Sequence, residues 1–313
     1  MTCSYIDEHK DELGVEPICR TLTDAGVQVA ASSYYARKNR AESARSIADK
    51  KWDTRIVETH EANRGIYGAR KMWKVLGAMY PEDRVARCTV ERRMTALGLS
   101  GVGNARTTRT TRPAPQGTPH PGDKLERDFT ASAPNMKWVA DITYVPTWSG
   151  FVYVAFVMDL FSRAIVGWSV DTTLRADLAL NALEHAMWER GRRKQDVRGV
   201  IHHIDKGAQY TSIPYTSRLV EAGIEASVGS TGDSYDNAAA EALMKLFKKE
   251  VVWRDGPWSG RDSVEYAVME WAHWYNNSRI HSRCGDMAPM AFEALHYTRS
   301  RWPVEAGVLE PAL

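Results

Sequence analysis

Residues 137–159 read KWVADITYVPTWSGFVYVAFVMD and decide the fold of the second half of the chain. Lys137–Val145 and Phe151–Asp159 are both rich in β-branched and aromatic residues, which favour strands. A Trp-Ser-Gly turn separates them, so the stretch predicts a β-hairpin. Asp141 lies in the middle of the first strand, where a lone carboxylate is costly unless it is ligated or hydrogen-bonded.

The sequence after the hairpin alternates between strand and helix patterns. Further strands are predicted at Ala164–Val170, Gly199–His203 and Glu225–Val228. Helices are predicted at Arg175–Gly191, Ile213–Ala222 and Asn237–Val252. Three consecutive antiparallel strands followed by alternating helices and strands predict an α/β layer fold with a mixed sheet.

Charge divides unevenly along the 313 residues. Residues 31–122 carry 18 Lys and Arg against 8 Asp and Glu, whereas residues 123–313 carry 21 against 25. A basic segment favours a polyanionic partner, which we interpret as nucleic acid. Residues 101–122 contain four prolines and no acid, which predicts a linker. The arginines of this linker are Arg106, Arg109 and Arg112. They either contact the phosphates of a nucleic acid or only keep a flexible linker soluble.

Two helix-turn-helix patterns precede this linker. The first spans Val15–Ala25 and Ser32–Arg37, and the second spans Tyr67–Met79 and Arg87–Leu97. Apolar residues in the second pattern repeat at helical spacing, which buries one face of each helix. Its other face carries Arg87, Arg92 and Arg93. Such a face fits a DNA major groove, although any small helical bundle also exposes charges.

These patterns predict the domain organisation. We expect helix-turn-helix regions at 1–45 and 46–100, a basic linker at 101–130, a catalytic core with a helical tail at 131–300, and a terminal tail at 301–313. No stretch approaches the roughly 18 apolar residues of a membrane span. The acidic start lacks the apolar segment of a secretory signal. We therefore expect a cytoplasmic protein without a membrane partner, associated with the nucleoid when it acts.

The four cysteines are scattered singly along the chain. Without a C-x-x-C pair they support neither a disulfide framework nor a Cys-rich zinc site. We expect reduced, mostly buried thiols.

Three acidic residues lie in strand or apolar sequence contexts, where side chains are usually buried rather than solvated. Asp141 lies within a strand, Asp205 ends the strand VIHHI, and Glu241 lies one turn into a helix capped by Asp236 or Asn237. Open α/β sheets bind ligands at the carboxyl ends of their strands. A convergent set of this kind can clamp two divalent cations about 4 Å apart for in-line phosphoryl displacement. Mg²⁺ suits it, because Mg²⁺ binds a few carboxylates together with waters and phosphate oxygens.

Four ordered motifs link the chain to a known family: WVADITYV with Asp141, VIHHIDKGAQYTS with Asp205, GSTGDSYDNAAAE with Glu241, and YNNSRIHSRCGDMAPMAFE at Tyr275–Glu293. With an upstream GIYGARKMW segment, the chain closely resembles the Asp-Asp-Glu transposases of bacterial insertion sequences. It resembles in particular their downstream-frame products, which are relatives of retroviral integrases. The resemblance implies a ribonuclease-H-like integrase core, with a mixed five-stranded sheet flanked by helices, in which these three acids form a metal-binding catalytic triad.

The resemblance also implies an activity and partners. It implies a polynucleotidyl transferase that uses Mg²⁺ or Mn²⁺, as two ions, to cleave DNA at the transposon terminal inverted repeats and to transfer the strand to target DNA. It implies a homo-oligomer assembled on the DNA. The chain begins without a leucine-heptad segment, which an upstream-frame product usually supplies, so we expect that product as a partner or as part of an active fusion.

The chain departs from the family pattern at three positions near Asp205. Ile204 and Ala208 stand where relatives usually have Ser, and Lys206 stands where they usually have Arg. Successive residues of a strand point to opposite faces, so Ile204 is expected to alter packing more than chemistry.

Several neighbouring residues have two interpretations. His202 and His203 suggest a metal or general-base role, but they lack Cys partners at zinc-ligand spacing. His203 is the better candidate for supporting the metal site, because it shares a strand face with Asp205. Asp159 either supports the same site or caps a turn.

The loop and helix around Glu241 carry further candidates. Tyr235 in the loop is suited to stacking on a frayed terminal base, and Asn237 begins the helix. Lys245 and Lys248 share the helix face of Glu241. They form an ordinary surface pair with it or, as the resemblance to integrases implies, hold the DNA end.

Three functions remain open on the residues alone. The first is a transposase that joins a 3′-hydroxyl end to target DNA. The second is a ribonuclease-H-like nuclease without strand transfer, against which the helix-turn-helix patterns argue because such a nuclease needs no end recognition. The third is a non-catalytic DNA-binding regulator, against which the three carboxylates argue because an idle buried acid only destabilises the fold.

Overall fold

The computed structural model describes residues 2–103, 130–205, 209–210, 212–228 and 237–301. These residues form two compact units, Met1–Val57 and Glu58–Leu313. None of the described helices is both long and apolar enough to cross a bilayer. Several predicted residues lie outside the described ranges: Arg106, Arg109, Arg112, Lys206, Ala208 and Tyr235.

The first unit is helical. It contains α1 (Thr2–Leu13), α2 (Val15–Asp24), α3 (Ala31–Lys38) and most of α4 (Ala44–Ala62). Ile6, Ile18 and Tyr34, one from each of the first three helices, are buried together. The Tyr34 hydroxyl donates a 2.7 Å hydrogen bond to Asp7 of α1. The predicted helix pair is confirmed as α2 and α3, and the structure adds α1 as the helix that covers both.

The second unit begins with a helical segment that packs on the C-terminal tail. It contains α5 (Ala69–Met79) and α6 (Arg87–Ala96), the predicted second pair. Just before α5, the Tyr67 hydroxyl accepts a 2.8 Å hydrogen bond from the backbone N–H of Ile280. The Tyr67 ring lies 5.9 Å from that of Trp274. This helical segment therefore shares a core with residues two hundred positions later.

A mixed five-stranded sheet forms the centre of the second unit, as predicted. Its strands are β1 (Lys137–Thr147), β2 (Gly150–Asp159), β3 (Ile165–Asp171), β4 (Ile201–Ile204) and β5 (Glu225–Val228). Their spatial order is β3-β2-β1-β4-β5. The first three strands pair antiparallel, whereas β4 pairs parallel with both β1 and β5.

Helices cover both faces of this sheet. The helices are α7 (Ala176–Arg192), α8 (Ile213–Glu221), α9 (Ala238–Phe247), α10 (Trp253–Asp255), α11 (Arg261–Asn277) and α12 (Pro289–Arg301). A π-helical segment, Lys248–Val252, continues α9 directly. Trp138 of β1 packs in a core shared with α7 and α8. On the opposite face, the Phe156 ring of β2 lies 5.2 Å from Phe247 of α9 and 5.8 Å from Trp271 of α11.

Two buried ion pairs fix the tail to the core. Arg190 of α7 donates a 3.0 Å hydrogen bond from Nη2 to Glu293 of α12. Arg279 lies 2.6 Å from Glu250 of the π-helical segment, and Trp271 donates a 3.0 Å bond to the same carboxylate. Removing one partner of a buried ion pair leaves the other charge buried without compensation, which is strongly destabilising. Both ion pairs therefore hold the tail in a single position on the core.

The four cysteines are free, as predicted, but fewer are buried than we expected. Cys19 and Cys284 are buried, Cys3 is partly exposed and Cys88 is exposed. Cys88 is the second residue of α6 and lies on the solvent side of that helix.

The contact between β3 and α7 predicts a steric effect at Gly167. A methyl group there would collide with the carbonyl oxygen of Ala182 and lie 2.8 Å from the Cβ of Ala186. Gly167→Ala should therefore lower the free energy of unfolding by about 1–3 kcal/mol, measured by urea denaturation. Gly191→Ala in α7 is the matched control, because nothing lies within 4 Å of its added methyl group. Equal stability of the two variants would contradict the close packing of β3 on α7.

Candidate active site

Asp141 occupies the middle of β1, opposite Phe156 of β2. Its side chain is partly buried and accepts a 2.8 Å hydrogen bond from the backbone N–H of Ile142. Burial, together with the negative charges of Asp205 and Glu241, raises the pKa of Asp141 to about 7, against the lowering effect of the Ile142 bond. Asp205 and Glu241 therefore both lie near enough to Asp141 for their charges to act on it.

Asp205 directly follows β4, the parallel neighbour of β1. It is exposed and lines, together with Asp141, a cavity of about 210 Å³. Tyr153, Gln209 and Tyr210 also line this cavity. The structure thus brings two of the predicted acids, Asp141 and Asp205, to one cavity near the carboxyl end of β4.

Glu241 approaches from α9, which packs on β1. Asn237 occupies the N-cap position, but its side chain does not cap the helix as expected. Its amide instead donates a 3.0 Å hydrogen bond to the carbonyl oxygen of Ala140, the residue before Asp141. A side chain committed to β1 cannot also reach the first turn of α9, and this bond fixes the start of the helix to the strand.

The donor set suits a hard divalent cation. Two carboxylates share one cavity, and the charges of Asp205 and Glu241 raise the pKa of Asp141, so a cation there would relieve their repulsion. Oxygen donors in small number are what Mg²⁺ prefers. Among the described residues, no three His, Cys, Asp or Glu side chains are close enough together to ligate one ion. Asp141 and Asp205 thus fit Mg²⁺ only as two ligands of a shell that waters and phosphate oxygens would complete.

The two histidines of β4 belong to the protein core. The His202 ring lies 2.6 Å from the Tyr215 hydroxyl of α8, and His203 Nδ1 lies 2.9 Å from the Ser227 hydroxyl of β5. Both are completely buried, and burial lowers the pKa of His202 to about 3. His202 is thus neutral and bonded to a tyrosine, which rules out the general-base interpretation for it. A supporting role for His203 at the metal site stays a prediction.

Asp159 caps a turn, which is one of its two predicted roles. Its carboxylate accepts hydrogen bonds from the backbone N–H groups of Asn135, Phe161 and Ser162, and it lies 3.4 Å from Arg190. It pairs across the sheet with Trp138, so it faces the side of the sheet opposite to Asp141. A role for Asp159 in supporting the metal site stays a prediction.

The predicted lysines lie beside the acids. Lys245 Nζ is 3.0 Å from Glu241 Oε2, and Lys248 Nζ is 4.6 Å from the centre of the Tyr144 ring of β1. Lys248 also lowers the pKa of Asp141, in a small contribution after burial. Lys245 on α9 and Lys248 at the start of the π-helical segment therefore both lie near the carboxylates.

The predicted arginines of α6 lie on its outer side. Arg87 and Arg92 are exposed and Arg93 is partly exposed. Arg87 forms a 2.8 Å ion pair with Glu91 of the same helix. Their contact with DNA stays a prediction.

The sequence of each region matches known families. Residues 131–234 match the family described as Integrase core domain, and residues 222–289 match a second family with that description. Residues 48–106 match a family described as HTH-like domain.

Relatives match nearly the whole chain. It is 46% identical over 276 residues to the "Putative transposase for insertion sequence element IS986/IS6110" of Mycobacterium tuberculosis, covering 88% of this chain and 98% of the relative. It is 42% identical over 297 residues to the "Transposase for insertion sequence element IS629" of Shigella sonnei, covering 93% and 95%. The chain belongs to the insertion-sequence transposases.

A solved structure resembles this member of the transposase family over much of its length. It is the simian T-cell lymphotropic virus intasome in complex with PP2A regulatory subunit B56 gamma, with a TM-score of 0.46 and 13% identity, covering 82% of this chain and 78% of that chain. The transposase has a mixed five-stranded sheet flanked by helices in the region that matches the family described as Integrase core domain, as its sequence predicts.

Tyr210 is a residue of the site to which sequence reasoning assigned no role. Its side chain is 3% exposed and lines the cavity of Asp141 and Asp205. Its hydroxyl has no hydrogen-bond partner within the part of the chain that the structure describes. The motif GAQYTS contains it, but a tyrosine after a strand is more often a packing residue, so its position against the acids needed the tertiary structure.

The Tyr210 hydroxyl has no hydrogen-bond partner among the described residues, whereas the Tyr215 hydroxyl bonds His202. Replacing each tyrosine by phenylalanine should therefore have opposite effects on stability and on DNA cleavage. Tyr210→Phe removes an unsatisfied group, so stability should stay the same or rise. DNA cleavage by the transposase should fall about tenfold, the value of one hydrogen bond to a charged group. Tyr215→Phe is the control: it leaves His202 without its partner and should lower the free energy of unfolding by about 1–3 kcal/mol. Thermal unfolding and a cleavage assay on the same preparations test both. Full cleavage by Tyr210→Phe would remove the hydroxyl from the site.

Proposed function

We propose that the transposase cleaves DNA at the ends of its insertion sequence and joins the freed 3′-hydroxyl to target DNA. We propose Asp141, Asp205 and Glu241 as the catalytic triad. The observation that carries the proposal is the placement of the acids: Asp141 and Asp205 line one cavity, and Glu241 on α9 is near enough for its charge to act on Asp141, in a chain of the insertion-sequence transposase family.

The triad would hold Mg²⁺ or Mn²⁺, which we propose as two ions. When bound, the cations supply charge stabilisation at the phosphorus and activate the attacking oxygen. The Asn237 bond to Ala140 and the packing of Phe247 on Phe156 hold α9 against β1, so the third carboxylate keeps its position relative to Asp141. Fixed carboxylates lose little free energy to reorganisation at the moment of reaction.

The two steps are successive displacements at phosphorus. In the first, a water oxygen bonds to the phosphorus, the P–O3′ bond breaks, and the 3′ oxygen leaves as a hydroxyl. In the second, that 3′-hydroxyl attacks a target phosphodiester, one P–O bond forms as another breaks, and the displaced oxygen takes up the proton. No bond between protein and DNA is required at either step.

The helical regions supply end recognition in this proposal. The HTH-like match at residues 48–106 covers α5 and α6, whose exposed arginines suit a phosphate backbone. Two ends must be held for one insertion, so we propose a homo-oligomer on the DNA, with the upstream-frame product as a further partner. Its substrate would be chromosomal DNA, which places its action in the cytoplasm at the nucleoid.

Conservative substitution of the triad tests the chemistry. Asp141→Asn, Asp205→Asn and Glu241→Gln should each abolish cleavage and strand transfer, because removing one carboxylate unbalances a site that works by charge stabilisation. Affinity for DNA and the thermal midpoint should stay near the wild-type values. Activity is measured on element-end duplexes with Mg²⁺, and binding by fluorescence anisotropy. Near-normal transfer by one variant would exclude that residue from the triad.

Neutralising the lysines of α9 separates a transposase from a general nuclease. The double variant Lys245→Gln, Lys248→Gln should reduce cleavage of element-end DNA by a factor at least about ten times larger than its reduction of cleavage of a scrambled duplex. The reason is that ammonium groups which position the element end do not position other DNA. Glutamine is preferred to glutamate, since a carboxylate one turn from Glu241 could itself ligate the metal.

The matched control for the lysines is Arg192→Gln with Arg193→Gln. It removes the same charge from the end of α7, where both arginines pair with Glu189. Its ratio of element-end to scrambled cleavage should equal that of the wild type. A wild-type ratio near one would favour the nuclease over the transposase.

A further inference from the structure

Two aromatic side chains of the β1–β2 hairpin are exposed beside the candidate active site. Tyr144 is 52% exposed and Phe151 is 57% exposed. Tyr144 pairs across the hairpin with Tyr153, so Phe151 is its diagonal neighbour on the same face of the sheet. The ring centres of Tyr144 and Phe151 lie 5.3 Å apart in an edge-to-face arrangement. Single exposed apolar side chains are ordinary on a protein surface, whereas contiguous ones mark an interaction surface.

The fold places Tyr144 on a stretch of β1 that has an open edge. On one side, β4 pairs with β1 only as far as Val139. Among the described strands, none pairs with that side of β1 between Val139 and Thr147. Tyr144 lines the cavity of Asp141 and Asp205 there, and half of its surface stays accessible to solvent.

A lysine lies against the Tyr144 ring. Lys248 Nζ is 4.6 Å from the ring centre, a distance at which an ammonium group and an aromatic ring attract each other. Lys248 begins the π-helical segment that continues α9, and its charge also acts on Asp141. An exposed aromatic ring, a cation and the cavity of the carboxylates are therefore neighbours.

A nucleotide matches this combination of groups. Its base has a flat π-face that stacks on aromatic side chains, and its phosphate carries the charge that an ammonium group attracts. A protein partner seated on Tyr144 would instead cover the cavity of Asp141 and Asp205, which the substrate of the proposed function must enter. The shared cavity thus favours DNA over a second protein chain as the occupant.

The spacing along β1 limits which base can reach Tyr144. Tyr144 is three residues beyond Asp141, which is about 10 Å along a strand. Successive bases of one DNA strand are about 3.4 Å apart, so this distance corresponds to about three nucleotides. Inside a duplex both faces of a base are covered by its neighbours. Only a terminal or unpaired base therefore offers a face to the tyrosine.

We propose that Tyr144, supported by Phe151 and Lys248, stacks on a terminal or unpaired base within about three nucleotides of the phosphate engaged at the carboxylates. Tyr144 then positions the substrate and favours a DNA end over continuous duplex, since only the end offers a free base face. The inference rests on the proposed function in one respect, that DNA occupies the cavity.

A double-mutant cycle between the tyrosine and the base tests this contact. Full-length wild type and Tyr144→Ala are bound to element-end duplexes that lack one base at a time, at each position within about three nucleotides of the scissile phosphate. Affinity is measured by fluorescence anisotropy without divalent cations, so that no cleavage occurs. On the intact duplex, Tyr144→Ala should bind about fivefold more weakly or worse, the value of one stacked base. At one position, removing the base should weaken wild-type binding by a similar factor and leave Tyr144→Ala binding unchanged.

Two further variants serve as controls. Tyr144→Phe keeps the ring and loses only the hydroxyl, so it should bind the intact duplex as the wild type does. Tyr266→Ala removes a 59% exposed tyrosine of α11 whose hydroxyl bonds Glu270, and it should leave the affinity unchanged. Thermal midpoints should stay near the wild-type value, because each replaced ring is more than half exposed.

Several results would overturn the proposal. One is a set of independent, additive losses from Tyr144→Ala and from every missing base, and another is a loss in Tyr144→Phe equal to that in Tyr144→Ala. A changed sedimentation coefficient of Tyr144→Ala with unchanged DNA affinity also overturns it and identifies a protein interface. Wild-type cleavage of the intact duplex with Mg²⁺ is measured in parallel. Absence of this cleavage beside a positive cycle would contradict the proposed function and leave the stacking contact standing.

Discussion

The parallel pairing of β1 with β4 is the interaction on which the candidate active site depends. Val139 of β1 pairs with His203 of β4, so two residues further along Asp141 stands level with Asp205. Residues side by side on parallel strands point to the same face. A register shift of one residue would send the two carboxylates to opposite faces of the sheet. The packed core beneath β4, with His202 bonded to Tyr215, keeps that register in place.

The negative charges of Asp141, Asp205 and Glu241 repel one another, which opposes folding. The packing of the rest of the second unit holds the segments that carry them in place. Burial and the two acidic neighbours raise the pKa of Asp141, because both disfavour its charged form. Asn237 and the aromatic contact of Phe156 with Phe247 counter this repulsion by fixing α9 to the strand. At the same place, no group within the described ranges hydrogen-bonds the buried hydroxyl of Tyr210. Local instability concentrated where a ligand binds is typical of functional sites.

The C-terminal tail connects the helical segment before α5 to the π-helical continuation of α9. Glu250 lies in the π-helical continuation of α9, and its ion pair with Arg279 holds the tail beside Tyr67 of the segment before α5. Residues from Glu58 onward accordingly form one compact unit. A fragment that begins at residue 123 would lack the HTH-like region and would also lose the hydrogen bond between Tyr67 and Ile280. Weaker DNA binding by such a fragment would therefore have two causes, the missing DNA-binding region and a less well-held tail.

The sequence by itself determined the elements and the identity of the three acids. Period-two and helical patterns located all five strands and most helices of the second unit within a few residues, because those elements bury one face each. It did not determine which of two roles Asp159 has, because both roles place it at the end of β2. It also gave no indication that Tyr210 lines the cavity of Asp141 and Asp205, since this residue stands just after a strand, where no periodic pattern exists. Only the tertiary structure decided these, because cavities form between segments that are distant in sequence, and side-chain neighbours there are set by strand register and helix packing rather than by local composition.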